Sequence, residues 1–489
     1  MGNAGKIARN SLVLGVAQGL TKLFSIALTA VAGRVLGTSG YGLYAMGSAV
    51  VEVCRVAASS GLDFIVVRDT ASDAERGSRT ARHAAVLKLC TGVVGYGIGP
   101  VAVKLLGYPE PVFFVVLALG AALFLENLSD ICDAVFQGHE WMMPSAQAFV
   151  LGAAVHFLIG SAVLFAGYGL RGWALSFLSG YLVRFAWLHA RAARAGVYQL
   201  RLHAIEGAEL RRVARAGAPL LGAMIVALLF HRMDILMLGG LVEESQVGLY
   251  GAAVRIIDVI VLLPRILATA AYPAMSRTLE REGPQQAAQL VAKSLRLSVV
   301  LCATVALGLW ILAPLALRWI PGAAFLPATG ALRILTWGIA LQGAAHMLAR
   351  LLVSLGREAD FLKIGGISLL TNFLLNLWWI PRMGIEGAAW ATLVSYVVNV
   401  ALYYLHAHRG GVRVAARSIV APFAAILVSA TVAYRFPAHG WMNGGNALLE
   451  DAARAAVILS LWFVLLFGFG ALNRSDIRLF AGELRKKLR

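Results

Sequence analysis

At 489 residues, 59% hydrophobic and only 14% charged, with a mean hydropathy of +0.75, the chain has too few polar side chains to cover a water-facing surface. That excludes an ordinary soluble protein and places the chain in a bilayer. A net charge of +18 would suggest a nucleic-acid partner in a soluble protein, but the placement of the charges, traced below, assigns it to membrane insertion and excludes nucleic acid.

About fourteen stretches reach the roughly 20 apolar residues that a spanning helix needs. They are centred in 11–35, 41–67, 82–106, 112–137, 144–167, 170–191, 213–239, 247–275, 292–318, 325–355, 361–381, 385–408, 416–435 and 449–472. Lys6 and Arg9 precede the first, which is too long for the apolar core of a signal peptide and reads as a span with Lys22 near its middle. The second holds Glu52 and Arg55 one helical turn apart, and the fourth holds Glu126, Asp130 and Asp133. The seventh carries Arg232 and Asp234, the eighth Arg255, Asp258 and Pro264, and the tenth His346 and Arg350. Cys54, Cys90, Cys132 and Cys302 fall in apolar runs with no CxxC and no flanking His, so buried thiols are expected, with no metal and no cofactor.

Basic residues crowd alternate connections: Arg68, Arg76, Arg79 and Arg82 after the second span, Arg191, Arg194, Arg201, Arg211, Arg212 and Arg215 after the sixth. The intervening connections carry about one each. Because Lys- and Arg-rich short loops stay on the cytoplasmic side, this alternation predicts both termini, including the RKKLR tail, to be cytoplasmic. Trp173, Trp319, Trp378, Trp379 and Trp441 fall near the opposite ends, where an aromatic belt is expected.

The sequence also repeats itself. GYGLYAMGSAVVEV (Gly40–Val53) matches QVGLYGAAVRIIDV (Gln246–Val259) at an offset of 206, as ARNS from Ala8 matches ARAG from Ala214; GLRGWALSFLSGYLV (Gly169–Val183) matches GIEGAAWATLVSYVV (Gly384–Val398) at 215. Two copies of a six-helix unit are therefore expected, 1–209 and 210–410, followed by 411–489 with two added helices and a basic tail. Parallel repeats of this kind are a transporter architecture with its site at the midplane. The fold class is an all-α membrane protein.

A charge at the bilayer centre costs at least about 2.5 to 3.5 kcal/mol, so those that persist face a cavity or a partner. Under the 206 offset Glu52 maps onto Asp258, placing an acid at the same point of each repeat. A spacing of three puts Glu52 over Arg55 and Arg255 over Asp258 on one helix face. Such pairs either neutralise each other or line a cavity, with Arg55 as an anion contact held by Glu52. Arg232 and Asp234, near a helix end, are expected to neutralise one another or a neighbour. Lys22 has no acid three or four positions away and is assigned to the cavity. The fourth-span carboxylates form one stripe, fit either for a coupling H+ or Na+ or for pairing with Arg184. Asn372, Asn376 and Asn399 are expected to act as polar glue, and Pro264 beside Arg265 as a hinge.

The stretch GRVLGTSGYGLYAMGSAVVEV, the following GLDFIVVR and the later GIEGAAWAT resemble the polysaccharide (Wzx-type) flippases of the multidrug, oligosaccharidyl-lipid and polysaccharide (MOP) exporter superfamily. The resemblance implies two pseudo-symmetric six-helix lobes in a V, a central cationic cavity, and export of a polyprenyl-pyrophosphate-linked oligosaccharide across the bacterial inner membrane, next to polysaccharide polymerase machinery. Peptidoglycan-precursor flippases are similar too, and Lys22, Arg55 and Arg255 match their basic residues by helix. Glu52 and Asp258 then support the cavity, while Glu126, Asp130, Asp133 and Arg350 are candidates for coupling or gating. No connection outside the membrane is long enough for a catalytic domain, so an enzyme is not expected. A drug antiporter would place a coupling acid on the first span, which offers Lys22 and Arg34 and no acid.

Overall fold

A computed structural model describes residues 3–59, 61–198, 205–435 and 447–468. Arg201, Trp441 and the RKKLR tail lie outside the described residues. Fourteen α-helices follow in order: α1 (Asn3–Ser59), α2 (Leu62–Ser72), α3 (Ala74–Leu105), α4 (Glu110–Gly138), α5 (Met142–Phe165), α6 (Gly169–Ala195), α7 (Gly207–Leu241), α8 (Glu244–Ile260), α9 (Leu262–Glu282), α10 (Pro284–Trp319), α11 (Thr329–Ser354), α12 (Glu358–Arg409), α13 (Arg417–Arg435) and α14 (Ala447–Gly468). Helices pair their backbone groups along the chain, as hydrocarbon requires.

Among the described residues, nine helical stretches are long and apolar enough to cross a membrane. This multi-pass, all-α architecture is the expected class, with some elements divided further. The first and second expected spans are the two helical arms of α1, separated by a kink at the non-helical Gly37 (φ 67°, ψ −172°), and the eleventh and twelfth are the arms of α12, separated at Gly384 (φ 57°, ψ −133°). A left-handed glycine turns the chain without a loop, which a side chain would resist. The second span breaks near Gly61 and continues as α2; the eighth breaks between α8 and α9. The latter break lies just before Pro264, whose ring would collide with the carbonyl four residues back in an unbroken helix. The nine cover eleven of the expected spans, two of them holding a kinked pair; α6, α13 and α14 are not among the nine.

The chain forms two compact units. The first comprises Met1–Ala252 with Arg318–Pro327 and Asn376–Ile385. In it α4 lies against α3 and α6, α1 against α3 and α5, and α7 against α1, α2 and α3. Its core gathers Leu62, Val66, Ala84, Ile131, Phe136, Leu188 and Val213. Trp173, expected in an aromatic belt, is instead buried here against Tyr44, with ring centroids 4.0 Å apart, because α6 packs inside the bundle. Trp319 and Trp378 are exposed, as a belt requires.

The second unit contains Ala253–Leu317, Ala328–Leu375 and Glu386–Arg489. Trp462 of α14 is fully buried beside Leu307 and Ala340, and its indole N–H donates to Thr304 at 2.9 Å, so the added helices join this unit. Asn399 donates to Ser368 at 2.9 Å, tying the two halves of α12. Cys54, Cys132 and Cys302 are buried thiols, but Cys90 is exposed, contrary to expectation, because it lies on an outward face of α3.

Within the first unit, α1 and α8 touch backbone to backbone. A Cβ on Gly42 would overlap the Glu244 carbonyl, and one on Gly248 the Thr38 carbonyl. Both pairs are related by the 206-residue offset, so the contact is reciprocal. Small residues permit such an approach, and membrane helices gain van der Waals contact from it. Gly42→Ala or Gly248→Ala should each destabilise the purified protein by about 1–3 kcal/mol through overpacking. Gly19→Ala, where an added Cβ meets nothing within 4 Å, should leave thermal unfolding in detergent unchanged or slightly raised.

Candidate functional site: a ladder of charges in the first unit

Helix α4 presents Glu126, Asp130 and Asp133 at steps of four and three, hence on one face. Two cations answer the lower part of this stripe. Arg184 of α6 donates to Asp130 at 2.7 Å and stands 4.0 Å from Asp133, with its guanidinium 4.4 Å from the Phe149 ring centroid of α5. Lys88 of α3, wholly buried, bonds Asp63 of α2 at 2.6 Å and lies 3.7 Å from Asp130. Asp133 also accepts from Gln137 at 3.0 Å. A buried ion pair persists when its geometry is good and its remaining atoms are hydrogen-bonded. Asp130 meets that condition, with a cation on each oxygen. The pairing alternative for the α4 carboxylates therefore holds for Asp130 and Asp133, and Arg184 is the expected partner.

The upper end is looser. Arg55 of α1 has Glu126 as its ion partner at 3.9 Å, and its side chain is 39% exposed against 13% for Glu126. Glu52 does not hold Arg55: its carboxylate is taken by Arg232 of α7, whose Nε stands 2.5 Å away. The physical reason is that packing of α7 and α4 on α1 brings each charge a partner from another helix. Arg232 thus takes the second course expected of it, neutralisation by a neighbour, while buried Asp234 accepts from Tyr250 at 2.6 Å and from Asn376 at 2.8 Å. Asn376 thus acts as the interhelical glue expected of it.

Lys22 is half-buried in α1. Arg255 and Asp258 are half-buried on α8 and belong to the second unit. Arg350 is exposed on α11 with its guanidinium 5.8 Å from the Tyr272 ring centroid. His156 is half-buried against Phe177, ring centroids 4.0 Å apart. Of the expected site residues, Arg55 and Glu126 come together, and Asp130 and Asp133 join them through Arg184 and Lys88. Sequence reasoning passed over Lys88 and Asp63. Lys88 lies in the first third of the expected span 82–106, with no acid three or four positions away, and the latter signal is the one that singled out Lys22. Among the described residues, no cluster of three His, Cys, Asp or Glu side chains is placed to hold a metal ion.

A second cluster sits outside the apolar stretches. Asp73 caps α3, accepting from the Glu75 amide at 2.9 Å. Buried Asp69 of α2 accepts from Arg212 of α7, Thr80 of α3 and Arg68, each at 3.0 Å. Burial alone would raise the Asp69 carboxyl, but the bonds from Arg212, Arg68 and Thr80 outweigh it and hold it below the usual range. Arg212 likewise draws Glu209 down, and the two carboxylates hold the guanidinium high. This fastens the start of α7 to α2 and α3, the helices that carry Asp63 and Lys88.

Comparison with known proteins follows the same geometry. The sequence profile of the family described as "Polysaccharide biosynthesis protein" matches residues 7–279, and that of MatE matches 219–378. Two proteins of Haloferax volcanii are similar: the probable low-salt glycan biosynthesis flippase Agl15, 25% identical over 77% of each chain, and the probable flippase AglR, 22% identical over 74% of this chain and 75% of that protein. Among solved structures, the lipid II flippase MurJ in an inward closed conformation shares the fold, with a TM-score of 0.73 and 13% identity over 93% of this chain and 99% of that one. An inward-facing multidrug resistance MATE family transporter does so at 0.66, with 14% identity over 80% and 95%.

Lys88→Met should destabilise the protein by about 3–5 kcal/mol, since it strands buried carboxylates, and the added change Asp63→Asn should recover part of that loss in detergent unfolding. For Asp69, whose folded pKa is depressed, the stability lost in Asp69→Asn should be constant above about pH 5. The gap between wild type and variant should then shrink as pH falls below about 4, because the unfolded chain takes up the proton first.

Proposed function

We propose that this chain, which belongs to the polysaccharide biosynthesis protein family of the MOP exporter superfamily, a family of transporters and not of enzymes, is a flippase. It moves a polyprenyl-pyrophosphate-linked oligosaccharide from the cytoplasmic to the outer leaflet by alternating access, for surface polysaccharide synthesis. The observation that carries the reading is Arg55: a half-exposed guanidinium at the polar end of a charge ladder, opposed at 3.9 Å by a single carboxylate. The printed names of the two Haloferax volcanii relatives, both flippases and one of glycan biosynthesis, point the same way.

The physics suits the task. A sugar diphosphate cannot cross hydrocarbon bare, because each unpaired hydroxyl costs several kcal/mol and a naked charge far more. Arg55, with Lys22 on the other arm of α1, supplies positive charge for the diphosphate while the tail stays in lipid. With the inside negative, each negative charge carried outward is favoured by about 2.3 kcal/mol per 100 mV. In this reading the repeats are 1–209 and 210–410, the segment 411–489 is an addition, and the helices make fourteen crossings of a cytoplasmic membrane with both termini inside. The product is then available to polysaccharide polymerase machinery. Because the matched relatives come from Haloferax volcanii, the membrane is assigned by topology and not by a bacterial source.

A peptidoglycan-precursor flippase is the second reading, favoured by the fold shared with MurJ; its substrate is also a lipid-linked sugar diphosphate and would meet the same cations. A cation-coupled small-molecule antiporter is third, favoured by the MatE match. Against it, α1 offers no acid for coupling in its first half, and Arg34 is engaged with the Trp319 carbonyl at 2.6 Å.

At equal expression, Lys22→Ala and Arg55→Ala should each lower export roughly tenfold or more, the loss of a charge-assisted contact of ~1.5–3 kcal/mol, while Lys22→Arg is partly tolerated. Translocation of fluorescent lipid-linked oligosaccharide in proteoliposomes checks this, and offering a lipid-linked peptidoglycan precursor in parallel separates the first two readings. Wild-type rates from both alanine variants would refute the anion site.

A further inference from the structure

The ladder is not evenly balanced. Five carboxylates (Glu52, Asp63, Glu126, Asp130, Asp133) stand against four cations (Arg55, Lys88, Arg184, Arg232), and three of those cations are held at 2.5–2.7 Å. Glu126 has the weakest hold. Its ion partner is Arg55 at 3.9 Å, and among the described residues its carboxylate accepts no hydrogen bond.

We propose that Glu126 is a proton-binding site coupled to diphosphate docking on Arg55. This rests on the reading of Arg55 as the diphosphate contact. When the diphosphate arrives, the exposed guanidinium turns from one carboxylate oxygen to phosphate oxygens, which offer it bidentate bonds. Glu126 then sits almost buried with no counter-ion, and a carboxylate so placed takes up a proton. The balance is simple: one proton from bulk water converts the Glu126 carboxylate to the acid, while Arg55 stays charged. On release, Arg55 returns and the proton leaves. Proton and diphosphate therefore travel together, and the negative charge crossing the membrane per cycle falls by one unit.

The surroundings favour Glu126 over its neighbours. On α4 itself, Asp130 and Asp133 keep Arg184 and Lys88 as partners throughout. From α6, Tyr181 faces Glu126 along with Arg184. From α3 comes Lys88, already bonded to Asp63 of α2; from α1 comes Glu52, already bonded to Arg232 of α7. The titratable group of α5, His156, lies against Phe177. Among these neighbours, Lys88, Arg184 and Arg232 could replace Arg55 only by breaking one of these short bonds.

The test is isothermal titration of the detergent-solubilised full chain with N-acetylglucosaminyl farnesyl diphosphate, whose diphosphate diester exchanges no proton near neutral pH, in buffers of different ionisation enthalpy. Wild type should take up between about one half and one proton per probe. Glu126→Gln should bind as tightly or several-fold more tightly, with that uptake lost. Infrared difference spectra of the wild-type protein should gain a protonated-carboxyl band on probe addition, a readout that needs no variant. Binding without proton uptake, or uptake unchanged in Glu126→Gln, would overturn the coupling and leave the anion site standing. No binding by wild type would overturn both.

Discussion

Everything in the first unit turns on one constraint: a charge held among apolar helices needs a counter-charge on another helix, at close range and with good geometry. Meeting it fixes where the helices lie. Lys88 can be wholly buried only because Asp63 and Asp130 flank it, and that requirement fastens α3 to α2 and α4. Arg184 does the same for α6, and Glu52 with Arg232 for α1 and α7. Buried pairs of this kind add little net stability, but removing one member is costly, so they act as locks on register more than as glue.

Function begins where the locking is incomplete. Arg55 and Glu126 close the ladder at 3.9 Å, a separation at which attraction persists but no hydrogen bond forms. A guanidinium left in that state is restrained yet available, and in the proposed function it is the group for which an incoming diphosphate competes. Tightly held neighbours matter as much as the loose pair. If Lys88 or Arg184 were equally mobile, the ladder would rearrange to neutralise Glu126 and no distinct anion contact would remain.

Much of this was legible in the sequence, and the failures are instructive. The multi-pass, all-α class and the presence of charges at Arg55 and Glu126 inside apolar spans follow from composition and spacing, because hydrocarbon penalises exceptions heavily. Partner choice does not. Glu52 three residues before Arg55 looks like a pair along one helix, yet each residue finds its partner across an interface, and interface geometry is set by side chains far away in sequence. Gly37 and Gly384 fall between expected spans, and at each a single positive-φ residue, with no loop, ends one helical arm and begins the next. The 206-residue offset relates Gly42 and Gly248, which meet at a reciprocal backbone contact that no local pattern reveals.

The central claim is that Arg55 supplies positive charge to the substrate, beyond its part in packing. The direct measurement is chemical rescue: Arg55→Cys with Cys90, the exposed native thiol, changed to Ser, reconstituted and assayed for lipid-linked oligosaccharide translocation after reaction with aminoethyl or size-matched neutral methanethiosulfonate. The account predicts that the unmodified variant is inactive, that the cationic adduct restores translocation and that the neutral one does not. Equal recovery with the neutral adduct, or activity before modification, would contradict it.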